Sequence, residues 1–208
     1  MNKLTHYEKL SISLRYFLLG KEYFETARAL EFAAQYHTGF RKDGITPELQ
    51  HQVEIVHYLR TLLPSYIYPQ DVLTSGVLHD TREDYPKSVL EIEKNFNLRV
   101  CRAVELLDKN GKTKKFYFEQ IAEDEVASIV KGADRVHNLQ SMIGVFTPEK
   151  QLAYVSEVEE YFLPMLKHAR RKFPQQEAAY ENIKHLLNSQ LELIKELHLV
   201  ENRPIALK

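Results

Sequence analysis

Apolar residues recur at helical spacing along most of this 208-residue chain, and its 7 glycines and 8 prolines fall mostly between those stretches. Gly and Pro interrupt regular structure, so their placement favours helices separated by short breaks. The clearest example is a C-terminal stripe at the spacing of one helix face, formed by Ala179, Ile183, Leu186, Leu187, Gln190, Ile194 and Leu197. Short β-branched runs lie inside the same helical spacing. The sequence therefore predicts an all-α protein folded as an irregular helical bundle.

Loop-like segments and cap residues divide the chain into predicted elements. Helices are expected at residues 24–37, 48–63, 72–79, 86–96, 99–107, 116–143 (with room for one break), 148–172 and 175–198. Asp71 is expected to cap the third of these. No internal repeat interrupts the pattern, so residues 1–208 are interpreted as one domain. The final helix is expected to pack on this body, with a homo-oligomer sealed through it as the alternative.

Composition limits the partners of the chain. Lys and Arg number 28 and Asp and Glu 29, a net charge of −1 that argues against binding nucleic acid or anionic membrane by bulk attraction. The single Cys101 excludes an intramolecular disulfide and a Cys-rich metal site. No apolar run is long enough to span a bilayer, and the N-terminal segment carries Glu8 and Arg15 and lacks a signal-peptidase site. A cytoplasmic protein with a small-molecule partner is expected.

The densest cluster of reactive side chains is the segment LHDTRED at residues 78–84. In a helix, Glu83 lies one turn from His79, and Asp84 lies one turn from Asp80. Three acids within five residues repel one another unless a cation is nearby. A metal site and a solvated helix end are both consistent with this segment alone.

Two other positions extend the cluster. His51 follows a loop at the start of a helix, and Asp134 follows an apolar helical run in which a lone carboxylate is costly to bury. With His79 and Asp80 they make two imidazoles and two carboxylates. This set contains no sulfur and suits Mn²⁺, Fe²⁺ or Mg²⁺ better than structural zinc. It is typical of a metal-dependent hydrolase.

The order His51, His79-Asp80-x-x-Glu83-Asp84, Asp134-Arg135-x-x-Asn138 resembles the HD-domain hydrolases of the RelA/SpoT type, including the small stand-alone alarmone hydrolases. The segments FAAQYHTGFRKDG, HQVEIVHYL, EIEKNFNLRVCRAVELL and SEVEEYFLPML resemble further family segments. The resemblance covers about residues 24–170. Residues 1–23 and 175–198 are interpreted as additional N-terminal and C-terminal helices.

This resemblance implies hydrolysis of the 3′-diphosphate of ppGpp and pppGpp to GDP or GTP and pyrophosphate, usually with Mn²⁺. It assigns the metal ligands to His51, His79, Asp80 and Asp134. It assigns activation of the attacking water to Glu83 and Asp84. The substrate residues it implies are Arg41, Lys42, Asn138, Ser141 and Lys150. Because we expect no room for a synthetase domain, a hydrolase without synthetase activity is expected. A role as antidote to an alarmone synthetase is a speculation from this expectation.

Two alternatives remain open. Gln52 stands where the family has proline, and one extra residue separates Arg41 from His51, so ppApp, NADPH or a dNTP remains open as the substrate. The other is a non-catalytic alarmone binder or antitoxin-like regulator, against which the intact Glu83-Asp84 pair counts. His137, three residues after Asp134, is a further candidate to reach the metal, whereas His37 and His57 are interpreted as structural.

Overall fold

A computed structural model describes residues 3–201, and within that range the chain forms helices and no β-strand. The α-helices are α1 (His6–Gly20), α2 (Phe24–Tyr36), α3 (Glu48–Leu59), α4 (Pro69–Leu78), α5 (Thr81–Asp84), α6 (Val89–Asn95), α7 (Leu98–Leu107), α8 (Lys114–Ala122), α9 (Ala127–Ser141), α10 (Pro148–Glu157), α11 (Leu163–Lys172) and α12 (Glu177–Glu201). One backbone bridge, between Phe40 and Pro47, closes the loop after α2. The all-α prediction is confirmed.

Helix α4 is the centre of the fold. It packs against α2, α3, α7 and α9, and every residue from Asp71 to Leu78 is buried. Gly76 allows α3 to approach closely, since a Cβ atom there would lie 2.9 Å from Leu59 Cδ1. Leu78, the last residue of α4, and the following His79 are both buried. The His79-Asp80 pair that follows α4 is therefore delivered to the interior rather than to a solvated helix end.

The C-terminal helix packs on the body, as predicted. α12 lies along α9, with Ala179, Ile183, Leu187 and Ile194 buried between them and the neighbouring helices. Leu197, the last residue of the predicted stripe, is instead half exposed. A homo-oligomer through this helix stays a prediction.

One local expectation is corrected. α4 begins at Pro69, which needs no N–H partner at a first helical position, so Asp71 is not the cap. The Asp71 carboxylate instead accepts hydrogen bonds from Asn97 and Arg99 at 2.9 and 2.7 Å, joining α4 to the start of α7. The single break that the 116–143 prediction allowed for falls after Ala122, where Asp124 accepts the backbone N–H groups that open α9.

The remaining differences lie at one helix end and inside one helix. α3 stops at Leu59 and continues as the 3₁₀ segment Arg60–Ser65, which contains Pro64. The 148–172 helix is continuous but includes a π-helical turn at Val158–Phe162. In the described part of the chain, no helix combines the length and the apolar character needed to cross a bilayer.

Candidate active site

The four predicted ligands come from three different places in the fold and meet at the end of α4. His51 lies in the first turns of α3, His79 and Asp80 join α4 to α5, and Asp134 lies in the middle of α9. His51 Nε2 is 3.2 Å from Asp134 Oδ1 and 3.6 Å from Asp80 Oδ2. His79 Nε2 is 3.1 Å from Asp80 Oδ2 and 3.6 Å from Asp134 Oδ1. Both imidazoles thus face the same two carboxylates.

These residues fit a divalent cation. His79 Nδ1 donates to the Gly76 carbonyl at 2.9 Å, so Nε2 is the nitrogen that carries the lone pair when the ring is neutral. That Nε2 is buried, makes no hydrogen bond to the described residues, and faces the carboxylates. Ligand atoms of His51, His79 and Asp134 lie within 4.8 Å of one another. Two nitrogens and carboxylate oxygens are the donors that Mn²⁺ or Fe²⁺ accept.

The Asp80 and Asp134 carboxylates favour a positive charge within the cluster. Burial lowers the pKa of His79, but Asp80 and Asp134 outweigh it and raise the value to about 10. Burial lowers the pKa of His51 to about 4, leaving that ring neutral. Burial raises the pKa of Asp134, but Lys131 and the two histidines hold it well below its usual range. The buried Asp134 carboxylate requires a counter-charge, and a metal ion can supply one.

The two predicted acids differ in their surroundings. Glu83 accepts the backbone N–H of Lys109 at 3.2 Å and forms an ion pair with the Lys109 ammonium. Asp84 is exposed on the wall of the same cleft, and its carboxylate accepts no hydrogen bond from the described residues. Desolvation by the cleft walls, with the charges of Asp80 and Glu83, raises the pKa of Asp84 to about 6. A carboxylate with this pKa is suited to accept a proton near neutral pH.

A cleft of about 650 Å³ opens from the four-residue cluster, within the size range of nucleotide-binding cavities. The cleft brings together three predicted substrate residues. Arg41 Nη2 donates to Asn138 Oδ1 at 3.3 Å and to Ser141 Oγ at 3.4 Å. Asn138 Nδ2 in turn donates to Asp134 Oδ1 at 2.6 Å. One hydrogen-bonded chain therefore links the Arg41 side of the cleft to the carboxylate cluster.

The other two predicted substrate residues both approach the ring of Phe146, a residue that lines the cleft together with Lys42. Lys150 Nζ lies 3.8 Å and Lys42 Nζ 5.3 Å from the centre of the Phe146 ring. Partial desolvation, together with the charges of Lys150 and Arg41, lowers the pKa of Lys42. Cations held this close to one another favour an anionic ligand.

Comparison with known proteins agrees with this geometry. Residues 29–128 match the family model described as the HD domain, a range that includes His51, His79-Asp80 and the Glu83-Asp84 pair. The chain contains an HD domain. The resemblance to the RelA/SpoT type is confirmed by named relatives.

The curated relatives are long proteins with two kinds of name. The chain is 29% identical over 151 residues to the guanosine-3′,5′-bis(diphosphate) 3′-pyrophosphohydrolase of Aquifex aeolicus, covering 68% of this chain and 21% of that protein. It is 30% identical over 158 residues to the protein of the same name from Spiroplasma citri, covering 66% and 19%. A probable chloroplastic GTP diphosphokinase of Arabidopsis thaliana is 28% identical over 155 residues, covering 66% and 21%. The chain thus spans about a fifth of the length of these relatives.

Sequence reasoning missed how His137 is used in this HD domain. Its Nδ1 lies 2.8 Å from His51 Nδ1, and its Nε2 lies 2.6 Å from Glu54 Oε2. Both ring nitrogens are engaged, so neither is directed at the carboxylate cluster. The signal was available in the spacing, because Glu54 is three residues after His51 and His137 three after Asp134.

Two cations on α9 were given no role by the sequence reasoning. Lys131 lies one turn before Asp134, with its Nζ 3.1 Å from Asp134 Oδ2. Arg135 is buried, pairs with Glu157 at 2.6 Å, and lies over the Phe162 ring. The two histidines interpreted as structural are both hydrogen-bonded: His37, on the cleft wall, bonds Thr81 at 3.1 Å, and His57 bonds the Leu10 carbonyl at 2.7 Å.

Proposed function

We propose that this HD domain hydrolyses the 3′-diphosphate of the guanosine alarmones ppGpp and pppGpp, releasing pyrophosphate and GDP or GTP. The proposal rests on one observation: a candidate metal site and a group of cations lie in the same cleft. Two histidines and two carboxylates converge at its inner end, and cations occupy its outer part. The 3′-pyrophosphohydrolase names of relatives over the same region support this choice of substrate.

In this proposal His51, His79, Asp80 and Asp134 hold one Mn²⁺, with Mg²⁺ or Fe²⁺ as substitutes. A bound divalent ion supplies positive charge beside the reacting phosphate and acidifies water. Asp84, whose carboxylate accepts no hydrogen bond from the described residues, accepts the proton of the attacking water. Glu83 holds Lys109 at the cleft wall, where its ammonium can meet the negative charge of the diphosphate.

The remaining substrate residues bind and orient the nucleotide. Arg41 lies where its planar guanidinium can stack on a purine while Asn138 and Ser141 contact the sugar and base. Lys42 and Lys150 attract the phosphates at the outer end. Because the proposed substrate is a small intracellular nucleotide, the cytoplasm is the proposed compartment, with neither nucleic acid nor membrane as partner.

A nucleotide panel tests the proposal. Purified protein is incubated with ppGpp, pppGpp, ppApp, NADPH and a dNTP, with Mn²⁺ and with chelator, and pyrophosphate and phosphate are measured. We expect pyrophosphate from ppGpp and pppGpp with Mn²⁺ only. The variant His79→Ala abolishes release, whereas His185→Ala, an exposed histidine on α12, serves as the matched control.

The panel also separates the alternatives. Release from another nucleotide, with intact ppGpp, would reassign the substrate and keep the metal chemistry. Intact nucleotides throughout, at high protein concentration, would reject hydrolysis and leave a binding protein.

A further inference from the structure

The two candidate histidine ligands are held in different ways on the side away from the carboxylates. His79 Nδ1 donates to a backbone carbonyl of its own helix, that of Gly76. His51 Nδ1 instead meets the His137 ring at 2.8 Å, and His137 Nε2 meets the Glu54 carboxylate at 2.6 Å. The orientation of His51 therefore depends on two side chains, one from α3 and one from α9.

Glu54, the last member of the hydrogen-bonded series His51–His137–Glu54, fixes the direction of the hydrogen bonds in that series. A carboxylate only accepts, so His137 Nε2 must donate to Glu54. The other nitrogen of a neutral His137 ring, Nδ1, is then an acceptor. His51 Nδ1 must donate to it, and the lone pair of His51 is left on Nε2. That is the atom that lies 3.2 Å from Asp134 Oδ1 and 3.6 Å from Asp80 Oδ2.

Glu54 is itself held in place. Gln50 Nε2 donates to Glu54 Oε1 at 2.8 Å, so each carboxylate oxygen has its own donor. His137 and Glu54 border both the 650 Å³ cleft and a second cavity of about 560 Å³ between α3, α9 and α12. Because a cavity lies on each side of His137 and Glu54, packing alone does not fix the orientation of these two side chains. Their hydrogen bonds must fix it.

We propose that Glu54 and His137 are positioning residues that fix the ring orientation and the Nδ1–H tautomer of His51, and thereby set the affinity of the site for a divalent ion. This inference rests on the proposed metal-dependent function, but it concerns ion binding and not the identity of the nucleotide. Outer residues that hold a metal-binding histidine typically change metal affinity by roughly 10- to 100-fold when they are removed.

Two variants of His137 separate positioning from bulk. His137→Leu keeps an apolar side chain of similar size but accepts no hydrogen bond. His137→Gln can present its amide oxygen to His51 Nδ1–H and restore part of the interaction. Glu54→Gln keeps the shape and removes the charge. His185→Ala is the control for histidine removal, and circular dichroism with urea unfolding verifies that each variant folds.

The experiment measures the Mn²⁺ dissociation constant by calorimetry without nucleotide, and the His51 tautomer by ¹⁵N NMR of the metal-free protein. We expect His137→Leu to raise the Mn²⁺ dissociation constant roughly 10- to 100-fold and Glu54→Gln to raise it less. The dissociation constant of His137→Gln should lie between those of His137→Leu and wild type. The dissociation constant of His185→Ala should equal that of wild type. Wild-type His51 should carry its proton on Nδ1 and lose that preference in His137→Leu.

Wild-type affinity in a folded His137→Leu variant would overturn the inference, as would a wild-type His51 protonated on Nε2. Equal losses of Mn²⁺ affinity in His137→Leu and His137→Gln would overturn it as well, since restoring a hydrogen-bond acceptor for His51 would then make no difference. Failure of the proposed function is a separate result: Mn²⁺ binding that depends on His137, with no pyrophosphate release, leaves the positioning role intact and rejects the substrate.

Discussion

Asp84 is predicted to destabilise the metal-free protein at neutral pH, and replacing it with Asn should stabilise the fold while abolishing hydrolysis. Its pKa rises from an ordinary value of 3.8 to about 6, because the cleft walls desolvate it and Asp80 and Glu83 repel its charge. A shift of that size corresponds to about 3 kcal/mol. Because Asp84 is exposed, solvent screening reduces the expected contribution to about 1 kcal/mol.

The sign follows from linkage. An acid whose folded pKa lies above its unfolded value costs stability only where it is ionised, so the cost is absent below about pH 4, develops as pH rises towards 6 and is complete above pH 6. Asp84→Asn removes the cost. We therefore expect the variant to unfold about 2 to 4 °C higher than wild type at pH 7.5 and at the same temperature near pH 4.

The assay is thermal and urea unfolding of both proteins in chelator from pH 4 to pH 8. Added Mn²⁺ should narrow the difference, since a nearby cation favours the ionised Asp84 carboxylate. An Asp84→Asn variant that is equally stable or less stable at pH 7.5, or whose advantage persists at pH 4, would refute the reasoning.

Two further substitutions and the pH dependence of the reaction test the account. Gly132→Ala places a Cβ 2.8 Å from Ile183 Cγ2 and 3.1 Å from Leu166 Cδ2. We therefore expect urea unfolding to show a free energy of unfolding lower by about 1 to 2 kcal/mol, whereas Gly20→Ala, with no atom within 4 Å of its added Cβ, is the unhindered helical control. Arg41→Lys keeps the charge but loses the planar fork, so KM should rise roughly tenfold with little change in kcat. In wild type, kcat/KM should fall on acidification as the catalytic carboxylate is protonated, and a flat profile from pH 8 to pH 5 would exclude a carboxylate base.

Much of the fold could be predicted because the apolar spacing is strong and the breaks are marked. The C-terminal stripe gave α12 to within a few residues, and its packing on the body followed from its apolar face. Helix starts were harder. Asp71 has the chemistry of a cap, but Pro69 opens the helix two residues earlier, and Asp71 bonds instead to Arg99, a partner that no local rule identifies.

For the candidate site, residue types were predictable and mutual arrangement was not. His79 and Asp80 follow the mostly apolar run VLTSGVL at residues 72–78, so their delivery to the interior could be anticipated. The pairing of Glu83 with Lys109 depends on how a loop 26 residues away folds back, and the contact of His137 with His51 joins residues 86 apart. Such contacts are set by side-chain directions on packed helices, which spacing along one helix does not determine.

The most direct test is a crystal structure of the protein with Mn²⁺, with anomalous diffraction recorded at the manganese edge. One peak is expected, within roughly 2.3 Å of His51 Nε2, His79 Nε2 and carboxylate oxygens of Asp80 and Asp134. A peak elsewhere, or the four side chains in place with no manganese between them at saturating Mn²⁺, would contradict the account.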